Sequence, residues 1–472
     1  MMPNHKYIGF YSLLIGVILL MGFMNVADIE HKGGHPEHIS IPNQDDATDL
    51  FLKLAHGEDK KTINTAISYV DKHWQEAYEI MLIETVYFSQ NGAISDRLIR
   101  LLERKSGKRF GHNLDKWFQW LWNKTPTYSD SYYKFKAKLH QGLDPKFKNY
   151  FLGRQAQSTI RLDEVRWGGV RQDGIPPLRQ PKMISAKEAT YLKDSNIVFG
   201  IEVNGDARAY PKRILAWHEM FVDTVGDIPV AGVYCTLCGT VILYKTEHQG
   251  INYQLGTSGF LYRSNKLMYD KTTQSLWSTL EGQPVIGPLV GKGIALDYLS
   301  VVTTTWGAWK KRHPETTVLS LQTGHLRDYG EGVAYRSYFA TDDLMFTIPK
   351  IDKSLNNKDE ILAIRTSKAP NENLAIASRF LTLNPIYTAQ IGRLHFVVLT
   401  DRSGAHRVYE TQGQKFVEYD GLSEIKDTQG VNWTLSEDKI TSSEGKILKR
   451  IPAHNAFWFG YKAAFPNTKL IK

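Results

Sequence analysis

Cys235 and Cys238 are the only cysteines among the 472 residues, and they lie three positions apart in Val233-Tyr-Cys-Thr-Leu-Cys-Gly-Thr240. Apolar residues lead in from Ile228 and out through Val241-Ile242-Leu243-Tyr244, so the stretch reads as strand, tight turn, strand. Two thiolates at this spacing can clamp one soft metal ion or close into a small disulfide ring. His218, in Trp217-His218-Glu219, adds an imidazole upstream, and Glu219 is suited to orient it. Cys235, Cys238 and His218 form a three-ligand set suited to copper, and Met268 offers a thioether beyond it. Zinc is the alternative ion, with a fourth ligand from His325, Asp270 or a water. Plainer roles stand beside these: Met268 as an apolar strand residue, and His218, His325 and His454 as hydrogen-bonded, partly buried histidines.

The same pair supports a rival chemistry. In thiol–disulfide exchange Cys235 would be the attacking thiolate and Cys238 the resolving one. The flanks look like strands and no βαβ pattern surrounds them, which argues against a thioredoxin fold but not against redox activity. A structural disulfide is the third reading. Binding or delivery of the metal, rather than turnover, is the expectation carried forward, with a thiol oxidoreductase and a non-catalytic scaffold as alternatives.

The elements that must position these residues follow from the rest of the chain. Residues 7–27 form one apolar run behind His5 and Lys6, long enough to span a membrane. No small-x-small cleavage site is evident and no cysteine follows, so the run reads as an uncleaved signal-anchor over 1–27, with a cleaved secreted form as the alternative. The remainder is expected outside the cytoplasm, in the periplasm or at the cell exterior. There a cysteine pair three apart is a poor staple, because the loop it closes is tiny. Net charge is +9, spread along the chain, which suits a solvated surface near anionic lipid and gives no nucleic-acid footprint.

Residues 28–46 are polar, with His31, His35 and His38, and read as a tether. From 47 to 157 apolar residues recur at helix spacing, as in Leu50, Phe51 and Leu54, or Ile67, Val70 and Trp74, with turns at Asn91-Gly92 and Ser106-Gly107. The paired helices suggest a small module able to dock a protein partner, and Gly107 to Leu121 resembles the last helix of HEAT-like repeats. After 158 the period changes to short strands and frequent turns, with Asn204-Gly205 as a hairpin signal. The fold class is therefore α+β: a membrane helix, a small helical module, then a mainly β module.

The β module has an internal echo. Gly200-Ile-Glu-Val matches Ala363-Ile-Arg-Thr, Ser275-Leu-Trp277 matches Val431-Asn-Trp433, and Trp306-Gly-Ala-Trp309 matches Trp458-Phe-Gly-Tyr461. These anchors keep their order, which predicts a degenerate duplication with copies at 158–345 and 346–472. A fourth anchor aligns the glycine turns, Thr224-Val-Gly with Gln390-Ile-Gly; with these aligned Cys235 falls on Asp401, Cys238 on Gly404 and His218 on Asn384, so the soft ligands belong to the first copy alone.

Several motifs together carry a family resemblance. They are Trp167-Gly-Gly-Val, Asp173-Gly-Ile-Pro-Pro, Val203-Asn-Gly-Asp-Ala-Arg-Ala-Tyr-Pro, Trp217-His-Glu, Tyr234-Cys-Thr-Leu-Cys-Gly, Thr257-Ser-Gly-Phe-Leu, Met268-Tyr-Asp-Lys-Thr-Thr-Gln-Ser-Leu-Trp and Arg327-Asp-Tyr. From about residue 158 onward the chain resembles the bacterial family catalogued as domain of unknown function 3179. The resemblance implies a domain boundary and no particular activity. Arg208, Arg263, Asp270, Arg327, Asp328 and Tyr329 sit in these motifs, as pocket candidates or as loop-holding ion pairs. Gly256-Thr-Ser-Gly259 lacks the spacing of a nucleophile elbow, and no phosphate-binding loop or dinucleotide fingerprint is present.

Overall fold

The computed structural model describes residues 47–57, 59–126, 129–366 and 372–472. The apolar run and the tether histidines lie outside the described residues. Among those described, no helix is long and apolar enough to cross a membrane. Thr48–Lys472 forms one compact unit.

That unit opens with six helices: α1 (Thr48–His56), α2 (Lys60–Lys72), α3 (Tyr78–Phe88), α4 (Gly92–Ser106), α5 (Leu114–Trp122) and α6 (Asp130–Gln141). Their starts are written in the sequence. Asp59 accepts from the Lys61 and Thr62 amides, Asn91 from Ala93 and Ile94, and Asn113 from Lys116, each cap worth about 1 kcal/mol. Gly107, at φ 70°, ends α4 in the left-handed conformation that spares a Cβ clash. Helix α3 is apolar around most of its circumference because it is the central helix, in contact with α1, α4 and α5. Its buried Glu84 is matched by Lys136 and by the Tyr132 hydroxyl.

The helices do not hang free of the β region. Phe147, Tyr150 and Phe151 pack their rings around Phe260, and Trp122 Nε1 donates to Asp163 O at 3.0 Å. Asp144 accepts from the Gln172 amide, tying the helical region to the first glycine-rich loop.

Beyond Val165 the chain is mainly strand, arranged in several sheets. Two of these have the same plan. Strands Val302–Thr305, Ile197–Val203, Asp206–Pro211 and Thr317–Leu319 lie side by side as antiparallel, antiparallel and parallel pairs. Strands Ala453–Phe457, Glu360–Ile364, Leu374–Ala377 and Lys469–Ile471 repeat that order and sense. The register repeats too: Thr305 opposes Ile197, and Phe457 opposes Glu360. In each, a seven-residue helix, Trp306–Arg312 or Trp458–Ala464, joins the outer strands. Each half also carries an antiparallel meander, Met220–Val225, Ile228–Cys235 and Thr240–Lys245 in one, and Ile386–Ile391, Leu394–Thr400 and His406–Glu410 in the other.

A buried tryptophan is held alike in both halves. Trp277 Nε1 donates to Asp270 Oδ2 at 3.2 Å, and Trp433 Nε1 to Asp427 Oδ2 at 2.9 Å. The halves differ in closure. In the second, the meander continues into an eight-stranded sheet whose first and last strands, Ile386–Ile391 and Phe416–Tyr419, come into contact, giving a near-barrel.

Glu437 is buried where the halves meet. It accepts from Arg407 at 2.7 and 2.9 Å and from Arg450 at 3.0 Å, while Arg312 and His313 approach from the other half at 3.7 and 3.6 Å. Burial by itself would raise its pKa, but Arg407, then His313 and Arg450, hold it well below the usual carboxylate range. Removing one partner of such a cluster leaves buried charge uncompensated. Glu437→Gln is expected to lower unfolding stability by about 3–5 kcal/mol, read from denaturant midpoints; a loss under about 1 kcal/mol would mean that water already screens the cluster.

Candidate functional site

The cysteine turn joins two strands of the first meander. Cys235 is the last residue of Ile228–Cys235, and Thr240 opens the next strand. Gly239 turns the chain at φ 59°, and a Cβ there would come within 2.8 Å of the Phe457 ring. The two cysteines form a disulfide, with Cα atoms 5.5 Å apart. Cys235 is 3 % exposed and Cys238 is fully buried, among Ile348, Phe457, Phe459 and Ala463, with Phe339 and Leu344 over them. The turn's carbonyls are satisfied by distant parts of the chain. Leu237 O accepts from the Tyr338 hydroxyl at 2.6 Å, and Cys238 O from the Phe457 amide at 2.7 Å. Gly460 lets the helix Trp458–Ala464 approach: a Cβ there would lie 2.9 Å from Cys238 Cβ.

The matching turn of the second half, between Leu394–Thr400 and His406–Glu410, carries no cysteine. Asp401 holds it instead. Its Oδ1 accepts from the Ser403 amide at 2.8 Å, the Ser403 hydroxyl at 2.6 Å and the Ala405 amide at 3.2 Å, while Oδ2 pairs with Arg407 at 2.8 Å. This turn docks on the first half. Ser403 Oγ lies 3.0 Å from Thr304 Oγ1, and Ala405 packs with Val302, Trp306 and Trp309. Each half thus seats its turn on the strand-to-helix junction of the other, and a covalent bond in one does what a carboxylate does in its counterpart.

His218 is engaged by other parts of the chain. It ends the helix Lys212–His218 and is fully buried. Nδ1 donates to Pro176 O at 2.9 Å, which leaves Nε2 as the acceptor for the Tyr329 hydroxyl at 2.6 Å. Thr323 Oγ1 in turn lies 2.6 Å from that hydroxyl, and the His325 ring packs 5.1 Å from the His218 ring. Burial, reinforced by the charges of His325 and Arg327 against the opposing Pro176 hydrogen bond, lowers the His218 pKa to about 4.

Met268 is fully buried in the apolar core with Met220, Val233 and Trp277. Asp270 spends its oxygens on Thr273, Ser275 and Trp277. Among the described residues no group of three or more His, Cys, Asp or Glu side chains is placed to hold a metal ion. His218 and the two cysteines thus form no three-ligand metal group among the described residues. The reason lies in the ring's partners: the Glu219 carbonyl pairs with the Tyr234 amide beside Cys235, but the Pro176 carbonyl and the Tyr329 hydroxyl capture the two ring nitrogens.

The other motif residues act as braces. Arg208 pairs with Asp206 and Asp223, Arg263 with Glu164 and Ala463 O, and Asp328 accepts from the Gly330 amide. Arg327 lies over the Trp217 ring. Residues that sequence reasoning passed over complete this region. Asp173, itself at φ 52°, accepts from the Thr257 amide at 3.0 Å and the Tyr269 hydroxyl at 2.6 Å. Buried Lys266 donates to Glu219 at 2.7 Å, and the Tyr335 hydroxyl donates to the same carboxylate at 3.1 Å. Burial lowers the Lys266 pKa despite Glu219. Asp173, Thr257 and Tyr269 stand in quoted motifs and Lys266 just before one, while Tyr335, six residues past Tyr329, carried no signal.

The family model described as protein of unknown function (DUF3179) matches residues 172–468. The chain belongs to this family. No curated protein and no solved structure matches it. The match spans both halves and so includes the cysteine turn, its Asp401 counterpart and the His218 loop.

Three further histidines are buried by the fold: His140 and His454, lowered to about 3, and His406, lowered to about 4, each chiefly by burial. With His218 they stay neutral in the folded chain while the unfolded chain protonates near 6.5. Stability is therefore complete above that pH and is lost as pH falls from 6.5 through 4 towards 3. Denaturation midpoints are expected to decline over this window, and His218→Gln to reduce proton uptake on unfolding by about one. A slope unchanged by the substitution would place a charged imidazole at 218.

Proposed function

We propose that the protein is a non-catalytic, extracytoplasmic interaction protein, held to a membrane by its N-terminal apolar run, in which Cys235–Cys238 is a structural lock. The observation that supports the lock is the pairing of the two turns. At the position where one half closes its turn with a disulfide, the other uses Asp401, and both turns are buried against the opposite half. An exchange centre presents an accessible sulfur, and here neither cysteine does. A persistent disulfide also suits the compartment expected for the chain. The shared sheet plan and register support descent of the halves from a duplication. The helical region, HEAT-like in its paired helices, is the docking element in this reading.

The test uses the full chain equilibrated in thiol redox buffers, with free thiols counted by mass. A structural lock is expected to stay oxidised above about −300 mV without denaturant. Reversible cycling between about −270 and −120 mV would overturn it in favour of a thiol oxidoreductase. One equivalent of copper or zinc retained by the reduced chain, and lost in Cys235→Ser/Cys238→Ser, would overturn it in favour of a metal carrier. The four-residue ring limits the entropic gain to about 2 kcal/mol. Cys235→Ala/Cys238→Ala is therefore expected to remain folded and to lose about that much stability in denaturant titrations. Phe339→Ala, which thins the cover, is expected to quicken reduction.

A further inference from the structure

One side of the helical region carries a concentration of unpaired positive charge. Between residues 97 and 116 stand Arg97, Arg100, Arg104, Lys105, Lys108, Arg109 and Lys116, against Glu103 and Asp115. Arg104 and Lys105 are spoken for by Asp71. Arg100, Lys108, Arg109 and Lys116 are exposed and Arg97 is half-buried, and among the described residues none of these five has a carboxylate partner within ion-pair distance. Of the nearby acids, Glu103 accepts the Gly111 amide and Asp96 holds His112.

The fold gathers these charges onto one face. On α4, at about 100° per residue, Arg97, Arg100 and Arg104 fall within about 60° of one another. The bonds Gly111 to Glu103 and His112 to Asp96 fold the following loop back along the helix, on the side adjoining Arg100. Lys108 and Arg109 are carried in that loop and Lys116 in the first turn of α5. The face lies at the C-terminal end of α4, where the helix dipole favours cations. Partly exposed Phe110 and Trp120 lie in the same stretch, residue types suited to a membrane interface.

We infer that this face docks on anionic lipid headgroups. The surface is complementary in charge to such lipid, and each basic side chain near it contributes about 1 kcal/mol. The chain outside the described residues argues for this occupant. The apolar run ends at 27, and 28–46, at most about 65 Å when fully extended, is all that separates it from the helical region. The inference rests on reading the helical region as a docking element and names what it docks on.

The test reconstitutes the full chain into nanodiscs of phosphatidylcholine, with or without about 30 % phosphatidylglycerol, and follows amine acylation of Lys108 and Lys116 by mass spectrometry. At about 50 mM salt, phosphatidylglycerol is expected to slow both about three-fold or more, while Lys446 and Lys449 are unchanged. Protection is expected to vanish at about 500 mM salt. It is also expected to vanish in Arg97→Glu/Arg100→Glu/Arg109→Glu, whose folding is checked by the thermal midpoint. Equal acylation in the two lipids would overturn the inference. Equal acylation together with protection by added polyglutamate would also overturn it, while leaving the docking reading intact with an acidic protein as partner. No protection by either would overturn both.

Discussion

The β region depends on a reciprocal exchange. Each half lends a buried turn to the other, and each turn is too tight to keep its shape without internal support. One uses a disulfide, Cys235–Cys238; the other uses the Asp401 carboxylate, which collects two amides and a hydroxyl. With the turns rigid, their outer faces become specific surfaces. Cys238 O meets the Phe457 amide, and Ser403 meets Thr304. Gly460 at the cysteine turn shows how close that approach is. A side chain at that position would force the helix off the disulfide.

The buried charges follow from the same arrangement. Seating one half on another encloses polar surface that no apolar residue replaces, and Glu437 gathers arginines and a histidine from both sides. Lys266 with Glu219, and Lys136 with Glu84, are smaller versions at other junctions. Such pairs contribute little net stability because desolvation offsets their attraction, but they penalise every alternative in which one partner is left alone.

Several polar residues of the family motifs form ion pairs and hydrogen bonds that brace loops in the fold. His218 has the makings of a base: neutral, with its tautomer set by a carbonyl and a hydroxyl on its free nitrogen. Both nitrogens are nonetheless occupied, and the ring is sealed beneath the Pro176 and Tyr329 loops. Thr257 and Tyr269 tie the loop of Asp173 and Ile175, next to Pro176, to the adjacent strands. Close hydrogen bonding among these motif residues ties the loops together.

Much of this architecture was legible in the chain. The change from a 3.6-residue to a two-residue period at 158 separates helices from strands, because side-chain direction follows backbone geometry. Of the helix starts only Asn91-Gly92 was marked in the sequence, as a turn; Asp59 and Asn113 emerge as caps, equally local bonds, only with the structure. The anchors Gly200 with Ala363, and Trp306 with Trp458, pick out strands and helices that hold the same places in two sheets of one plan. The α+β class and the strand–turn–strand at the cysteines were equally local matters. What only the tertiary structure decided was who meets whom. The sequence spacing that set His218 with Cys235 and Cys238 is silent on ring partners: the Glu219 carbonyl meets the Tyr234 amide beside the cysteine turn, yet the His218 ring is taken by Pro176 and Tyr329. The partners of His218 are 42 and 111 residues distant, Glu219 is remote from Lys266, and Arg312 and His313 reach Glu437 from the other half. Long-range contacts depend on how sheets pack against one another, which no local pattern of residues encodes.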